Sequence, residues 1–380
     1  MRRPGPSLAT TSDPRLLRVG PGLGARLHLV ALRLGIGAAL RVFGGRGLHD
    51  VVRALARVFG RKHVAVFRVF GSRQIEIGLH DRYWIPYILG FRDYEPEVAA
   101  GLARVLDETA VFIDGGANIG WWSVYASTRI PDPSRILAIE AAPAVYARLE
   151  RNAALNDGAF TCRNSAVWSR SGEQLTIRVH ASKHGSSSVT REYAGRRGYE
   201  PHDVCSTTVR DAIAECGAGP DDIVVLKLDV EGAEIPALAG MGDRRPSLLV
   251  YEDHGMERES ATSAQVFSLG YRVFAWDGGR FRELFDLAEV RALKTNPACG
   301  YNFFATDDDE VAKRLFGQEA GDGPRPGLKP SRLPDPPGRQ PGGAGAPPSP
   351  PSSGPPPSGE RARPDSGPSR LGTATPPSGT

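Results

Sequence analysis

Val111-Phe-Ile-Asp-Gly-Gly-Ala-Asn-Ile-Gly-Trp-Trp-Ser-Val-Tyr125 decides the fold. A short apolar run, residues 110–113, ends in Asp114, and the chain then turns through Gly115, Gly116 and Gly120 into an amphipathic segment. That pattern predicts a buried parallel strand, a glycine-rich turn and the start of a helix. Glycines let backbone approach a ligand closely, and a helix start offers free N–H groups, so a nucleotide-like cofactor belongs here.

Which cofactor is a matter of spacing and charge. The dinucleotide fingerprint places glycines at i, i+2 and i+5 so that a pyrophosphate can rest on the helix N-terminus. Counting from Gly115, the i+2 position is Ala117, and the pattern fails. Asp114 also puts a carboxylate where a pyrophosphate would be repelled. S-adenosylmethionine (SAM), with its positive centre and amino-acid end, suits Asp114 better than NAD does.

Outward from this turn the chain alternates strand and helix. Residues 136–140, 160–164, 223–229, 248–252, 271–276 and 301–305 read as strands. Helices are expected over 143–155, 231–239 and 260–269. Short buried strands alternating with helices predict a doubly wound, Rossmann-like α/β sheet. Residues 174–179 and 206–209 suggest extra strands around a polar loop. Upstream, 64–70 and 75–79 read as a strand pair, and Pro96 opens a helix running to Leu106. This block, 63–108, is read as a cap over the cofactor site.

The two ends differ from the middle. Residues 1–62 form a basic, glycine-rich extension, expected to be partly helical over 23–43 and to pack on the main domain. Weak contact of that helix with a membrane surface is the second reading. The segment lacks the clean apolar core and cleavage site of a signal peptide. No run of eighteen apolar residues occurs, so no membrane-spanning helix is expected. Residues 319–380 are mostly Pro, Gly and Ser and are expected to be disordered. Between them, 109–318 is the catalytic domain.

A net charge of only +4 and the absence of a Lys/Arg stripe interleaved with aromatics argue against a nucleic-acid groove. Cys162, Cys205, Cys216 and Cys299 form no C-x-x-C pair, which favours free thiols in a reducing cytoplasm and no structural metal.

Two further groups carry chemistry. Glu140, at the end of the second strand, stands where an acid accepts hydrogen bonds from a ribose diol, and Asn164-Ser-Ala166 ends the third strand where an adenine edge would lie. Leu226-Lys-Leu-Asp-Val-Glu-Gly-Ala-Glu234 delivers three acids and a lysine to the ligand-binding end of the fourth strand. Glu234 is explained by a helix N-terminus alone. Asp229 and Glu231 read as functional, and Lys227 as functional or as an ion-pair partner. His254, after the fifth strand, joins Asp229 as a candidate base.

Together these segments resemble the FkbM family of SAM-dependent methyltransferases. The resemblance rests on Tyr94-Glu-Pro-Glu-Val98, Phe112 to Gly120, Ile139-Glu140 with Pro143, Asn164-Ser-Ala166, Leu226 to Glu234, Leu249-Val-Tyr-Glu252 and Asn302-Phe-Phe-Ala305, in that order. It implies a seven-stranded, mostly parallel class I sheet with its last strand reversed. It also implies O-methylation of a small molecule or sugar. By position, Asp114, Gly116, Asn118 and Glu140 would hold SAM, and Asp229 would lie by the methyl group. Ala117, Gly120, Ser165 and Ala166 complete the expected cofactor set. Asp229, His254, Lys227 and Glu231 form the catalytic one. Three rival readings are a metal-assisted reaction on Asp229, Glu252, Asp253 and His254, an NAD-dependent oxidoreductase, and an inactive scaffold.

Overall fold

The computed structural model describes residues 15–44, 47–90, 94–180, 183–188, 199–253, 260–277, 279–294 and 301–316. The expected tail and His254 lie outside these residues. The N-terminal part runs β1 (Leu16–Val19), α1 (Leu23–Phe43), α2 (Leu48–Phe59), β2 (Val64–Val69), β3 (Arg73–Gly78), α3 (Trp84–Gly90) and α4 (Pro96–Val105). Next come β4 (Val111–Gly115), α5 (Trp121–Ala126), β5 (Ile136–Glu140), α6 (Pro143–Leu155) and β6 (Thr161–Asn164). An insertion follows with β7 (Ala166–Val167), β8 (Gln174–His180), β9 (Lys183–Ser188) and β10 (Tyr199–Thr207). The chain closes with α7 (Val209–Glu215), β11 (Val224–Leu228), α8 (Glu234–Ala239), β12 (Leu248–Glu252), α9 (Ala261–Ser268), β13 (Arg272–Asp277), β14 (Arg280–Leu284), α10 (Leu287–Lys294), β15 (Asn302–Thr306) and α11 (Asp309–Phe316).

The main sheet is ordered β14-β13-β15-β12-β11-β4-β5-β6. Neighbours from β12 through β6 pair in parallel, and β15 runs antiparallel to both β12 and β13. This is the expected Rossmann-like class I sheet with a reversed last strand. It has eight strands rather than seven, because residues 280–284 fold back along β13 as an antiparallel hairpin that buries Phe281 and Leu284.

Strand alternation sends successive side chains to opposite faces. Phe112, Ala138, Val225 and Val250 belong to one core, and Ile113, Ile139, Leu226 and Leu249 to the other. The first core is shared with the N-terminal elements, including Leu32, Phe67, Ile75, Ile85 and Leu102. Two residues further along the strands, the same parity carries Asp114, Glu140, Lys227 and Glu252. Four ionisable groups therefore stand at the ends of four adjacent strands, on the face that the N-terminal block covers.

Helix α1 is 21 residues long and apolar enough that by length and composition alone it could cross a membrane. The strict count of uninterrupted apolar residues missed this. Leu29, Leu32, Ile36 and Ala39 are nevertheless buried in the domain core.

Candidate active site

A cavity of about 400 Å³ opens at the ends of β4, β5, β11 and β12. Parallel β4–β11 pairing sets Lys227 directly beside Asp114, and β4–β5 pairing sets Gly115 beside Ile139. Of the sequence-predicted residues, Asp114, Gly116, Ala117, Asn118, Glu140, Ser165, Ala166, Lys227, Asp229 and Glu231 all line this cavity. Gly120 is not among its lining residues. A Cβ there would lie 2.6 Å from Leu149 Cδ1, so Gly120 serves the packing of the turn onto α6.

The turn is fastened from within. The N–H groups of Gly116 and Ala117 both donate to the Ile139 carbonyl, at 2.9 Å each. Glu140 Oε2 accepts from the Asn118 N–H at 2.9 Å, and Oε1 from the Ala142 N–H at 2.9 Å. The turn amides, expected to be free for a cofactor, instead donate to the Ile139 carbonyl (Gly116, Ala117) and the Glu140 carboxyl (Asn118). Burial pushes the Glu140 carboxyl up to about 7, against the two amide bonds that favour its charge. Gly116 has φ of +78°, and a Cβ on it would lie 1.8 Å from the Asp229 carbonyl oxygen. Its bare backbone therefore brings the ends of β4 and β11 together.

Asp114 is buried, and its Oδ2 accepts from the Ser123 hydroxyl at 2.7 Å. Its Oδ1 has no hydrogen-bond partner among the described residues. Burial raises the Asp114 carboxyl, and the nearby Lys227 ammonium works the other way. Ser165 donates its hydroxyl to the Cys205 carbonyl at 2.6 Å, tying the end of β6 to β10.

Across the cavity, Lys227 Nζ donates to Asp229 Oδ2 at 3.2 Å. Burial works against the ammonium, but Asp229, Glu95 and Asp114 outweigh it and hold the group above an ordinary lysine. Glu231 was expected in the first turn of a helix. Instead α8 begins at Glu234, and Glu231 (φ 53°) and Gly232 (φ 94°) form a left-handed turn before it. Glu234 Oε1 accepts the N–H groups of Val230 and Gly232 at 3.1 and 3.3 Å, which bends the chain there. Burial, with Asp229 and Glu234 nearby, pushes Glu231 up to about 8.

Several lining residues escaped the sequence reading. Glu95 heads α4 with its Oε2 accepting from Trp122 Nε1 at 2.8 Å. Burial, with Lys227 and Asp229 on either side of the balance, raises its carboxyl. The Tyr94-Glu95-Pro96 run was read as a helix start and as part of the family resemblance, without a place in the site. Its acid, placed next to an aromatic and before the buried α4, was the available clue. Glu252, read only as a metal ligand in a rival scheme, lines the cavity beside Asp229, and burial and that carboxylate hold its proton on well above the usual range. Aromatic rings complete the wall: Trp84 stacks on Trp121 with centroids 5.1 Å apart, and Tyr94 on Trp122 at 5.9 Å. Asp253 is turned away, bound to Lys294 Nζ at 2.9 Å and to the Ser263 hydroxyl. It does not join Asp229 and Glu252, and among the described residues no three acids, cysteines or histidines are grouped as a metal would require.

A family model, the methyltransferase FkbM domain, matches residues 114–303, half of the chain. The chain belongs to the FkbM methyltransferase family. Its cofactor is SAM. Methyltransferase sdnD of Sordaria araneosa is 30% identical over 173 residues, 38% of this chain and 65% of the relative. Methyltransferase 1 of Beauveria bassiana is 26% identical over 157 residues, 37% of this chain and 62% of the relative. The chain thus spans less than two thirds of the length of either. Among solved structures, methyltransferase FkbM from Methylobacillus flagellatus is 16% identical, covering 60% of this chain and 54% of that one, with a TM-score of 0.31. Precorrin-6y C5,15-methyltransferase from Geobacter metallireducens is 15% identical, covering 55% and 87%, with a TM-score of 0.32. These superpositions are loose, and the class of the sheet rests on its own strand order.

The residues present fit the cofactor of this FkbM methyltransferase. Asp114, whose buried Oδ1 has no hydrogen-bond partner among the described residues, lines a void whose acids outnumber its bases. Such a void favours a ligand carrying positive charge, and aromatic faces add to that preference.

Proposed function

We propose that this FkbM methyltransferase methylates a hydroxyl group on a small molecule or carbohydrate, with Asp229 as the base. The observation that carries this reading is the shared void. Asp114 and Glu140 stand on one side of it, and Asp229, Glu231 and Glu252 on the other, under the aromatic wall. Bound SAM supplies a methyl carbon made electrophilic by its sulfonium.

In this reading Glu140 accepts hydrogen bonds from the ribose diol, its two oxygens already aimed by the Asn118 and Ala142 amides. Gly116, Ala117 and Asn118 form the floor, Ser165 and Ala166 border the base, and Asp114 Oδ1 accepts from the cofactor. Asp229 takes the proton from the acceptor hydroxyl. Lys227 Nζ holds one Asp229 oxygen at 3.2 Å and leaves the other to meet the acceptor hydroxyl. Trp84, Tyr94, Trp121 and Trp122 exclude water and align the acceptor, and alignment is the main demand of an in-line methyl transfer. Apolar ring faces beside carboxylates also suit a sugar, with its C–H face and hydroxyls.

Transfer of label from methyl-labelled SAM into a cell extract, fractionated into small molecules, polysaccharide, protein and nucleic acid, tests the proposal. Label in the small-molecule or polysaccharide fraction, lost with Asp229→Ala, is the expected result. Label in nucleic acid or protein would overturn the acceptor class.

A further inference from the structure

Among the described residues, the outward face of α1 packs against neither the core nor the cavity wall. Its buried side chains, Ala25, His28, Leu29, Leu32, Ile36 and Ala39, all lie on one side of the helix. On the opposite side, at helical spacing, Leu23, Leu27, Val30 and Leu34 are 72, 49, 46 and 60% exposed. Arg26 and Arg41 are exposed on that same side, and Arg33 borders it. From Pro14 to His49 the chain contains no Asp or Glu. A soluble helix normally turns charged residues outward, but this one presents a leucine row set among arginines.

We propose that α1 docks the protein on an anionic phospholipid surface, lying in the plane of the interface. The leucine row enters the boundary between headgroups and acyl chains, and the arginines meet lipid phosphates. The charge pattern selects this occupant over a second copy of the chain. An antiparallel pair of α1 helices centred near Leu34 sets Arg26 of one against Arg41 of the other, with no acid on either helix to receive them. The following helix α2 begins beside His49, whose Nδ1 lies 2.6 Å from the Arg82 carbonyl oxygen in the cavity wall. A docked α1 is therefore joined, through α2, to one side of the cavity.

Co-sedimentation of the full chain with vesicles tests this, using phosphatidylcholine alone and phosphatidylcholine mixed with phosphatidylglycerol. The expected result is binding to the mixed vesicles that weakens with added salt. Leu27→Glu/Leu34→Glu and, separately, Arg26→Glu/Arg41→Glu should each weaken it by roughly 10- to 100-fold. Both variants should retain SAM binding, because all four side chains are exposed. Equal binding by variants and wild type, equal binding to both vesicle types, or binding to neither would overturn the proposal. So would a dimer in analytical ultracentrifugation that Leu27→Glu/Leu34→Glu disperses, which would assign the face to a second copy.

Discussion

The two sides of the cavity are built differently. On the β4–β5 side, each polar group is fixed by nearby chain: Glu140 by the amides of Asn118 and Ala142, and Asp114 by Ser123. On the β11–β12 side, a single ammonium, Lys227, stands among the carboxyls of Glu95, Asp229, Glu231 and Glu252, where burial and mutual repulsion favour protonated acids. One side is a socket whose acids are positioned by hydrogen bonds from the neighbouring chain. The other is a shared-proton cluster whose state depends on every member. The difference suggests that binding is assigned to the first side and proton chemistry to the second.

The sharpest way to break that division is Asp229→Ala, for which we expect methyl transfer to fall roughly 100- to 10,000-fold. SAM affinity, measured by calorimetry, should change far less. Equal losses in both would erase the distinction between the two sides. Next in size is Gly116→Ala, where the two sides touch. Overpacking against the Asp229 carbonyl and the left-handed backbone should together destabilise the protein by about 2–5 kcal/mol. Urea denaturation reads this directly, and a wild-type midpoint would show that the strand ends separate easily.

Asp114→Ala and Glu140→Ala sharpen the socket side. Each should weaken SAM binding by about 10- to 100-fold, the scale of a hydrogen bond to a charged group, in a protein that circular dichroism shows to be folded. Unchanged affinity in both would move the cofactor elsewhere. The smallest effect is a pH dependence on the cluster side. Glu231 is raised to about 8, with Asp229, Glu234, Glu140 and Lys227 as its charged neighbours. Between its unfolded value and about 8 the native state keeps a proton that the unfolded chain has released. Stability from this group therefore falls as pH rises through that window. Glu231→Gln should match wild type near about pH 5 and exceed it by about 1–2 kcal/mol near about pH 9, after allowance for partial exposure. A gain of equal size at both pH values would break the linkage.

The same contrast explains what was legible in the sequence. The strands of the sheet were readable because each is a short apolar run, and the socket because Asp114 to Gly120 and Glu140 are local to one turn and the next strand end. The cluster side draws Glu95 from a helix start, Asp229 and Glu231 from one strand end, and Glu252 from another. No local pattern links residues more than a hundred positions apart. The start of α8 was placed too early because Glu231 and Glu234 look alike as helix formers, while only Glu234 caps the turn. The eighth strand was missed because the only apolar residues of 280–284, Phe281 and Leu284, lie three apart and break the strand alternation, so the segment gains its place only by pairing with β13. Gly116 was readable as a turn glycine, but its reason was not: the Asp229 carbonyl, just past β11, stands where a methyl group would be.

Three of the chain's five tryptophans, Trp84, Trp121 and Trp122, line the cavity, two of them stacked. The protein thus carries a built-in optical reporter at the place where its ligands meet. Intrinsic emission follows the polarity and contacts around these rings, so loading of cofactor and then of acceptor can be watched as successive changes in fluorescence without any label. A panel of unlabelled alcohols and sugars can then be ranked by titration before a single turnover is measured.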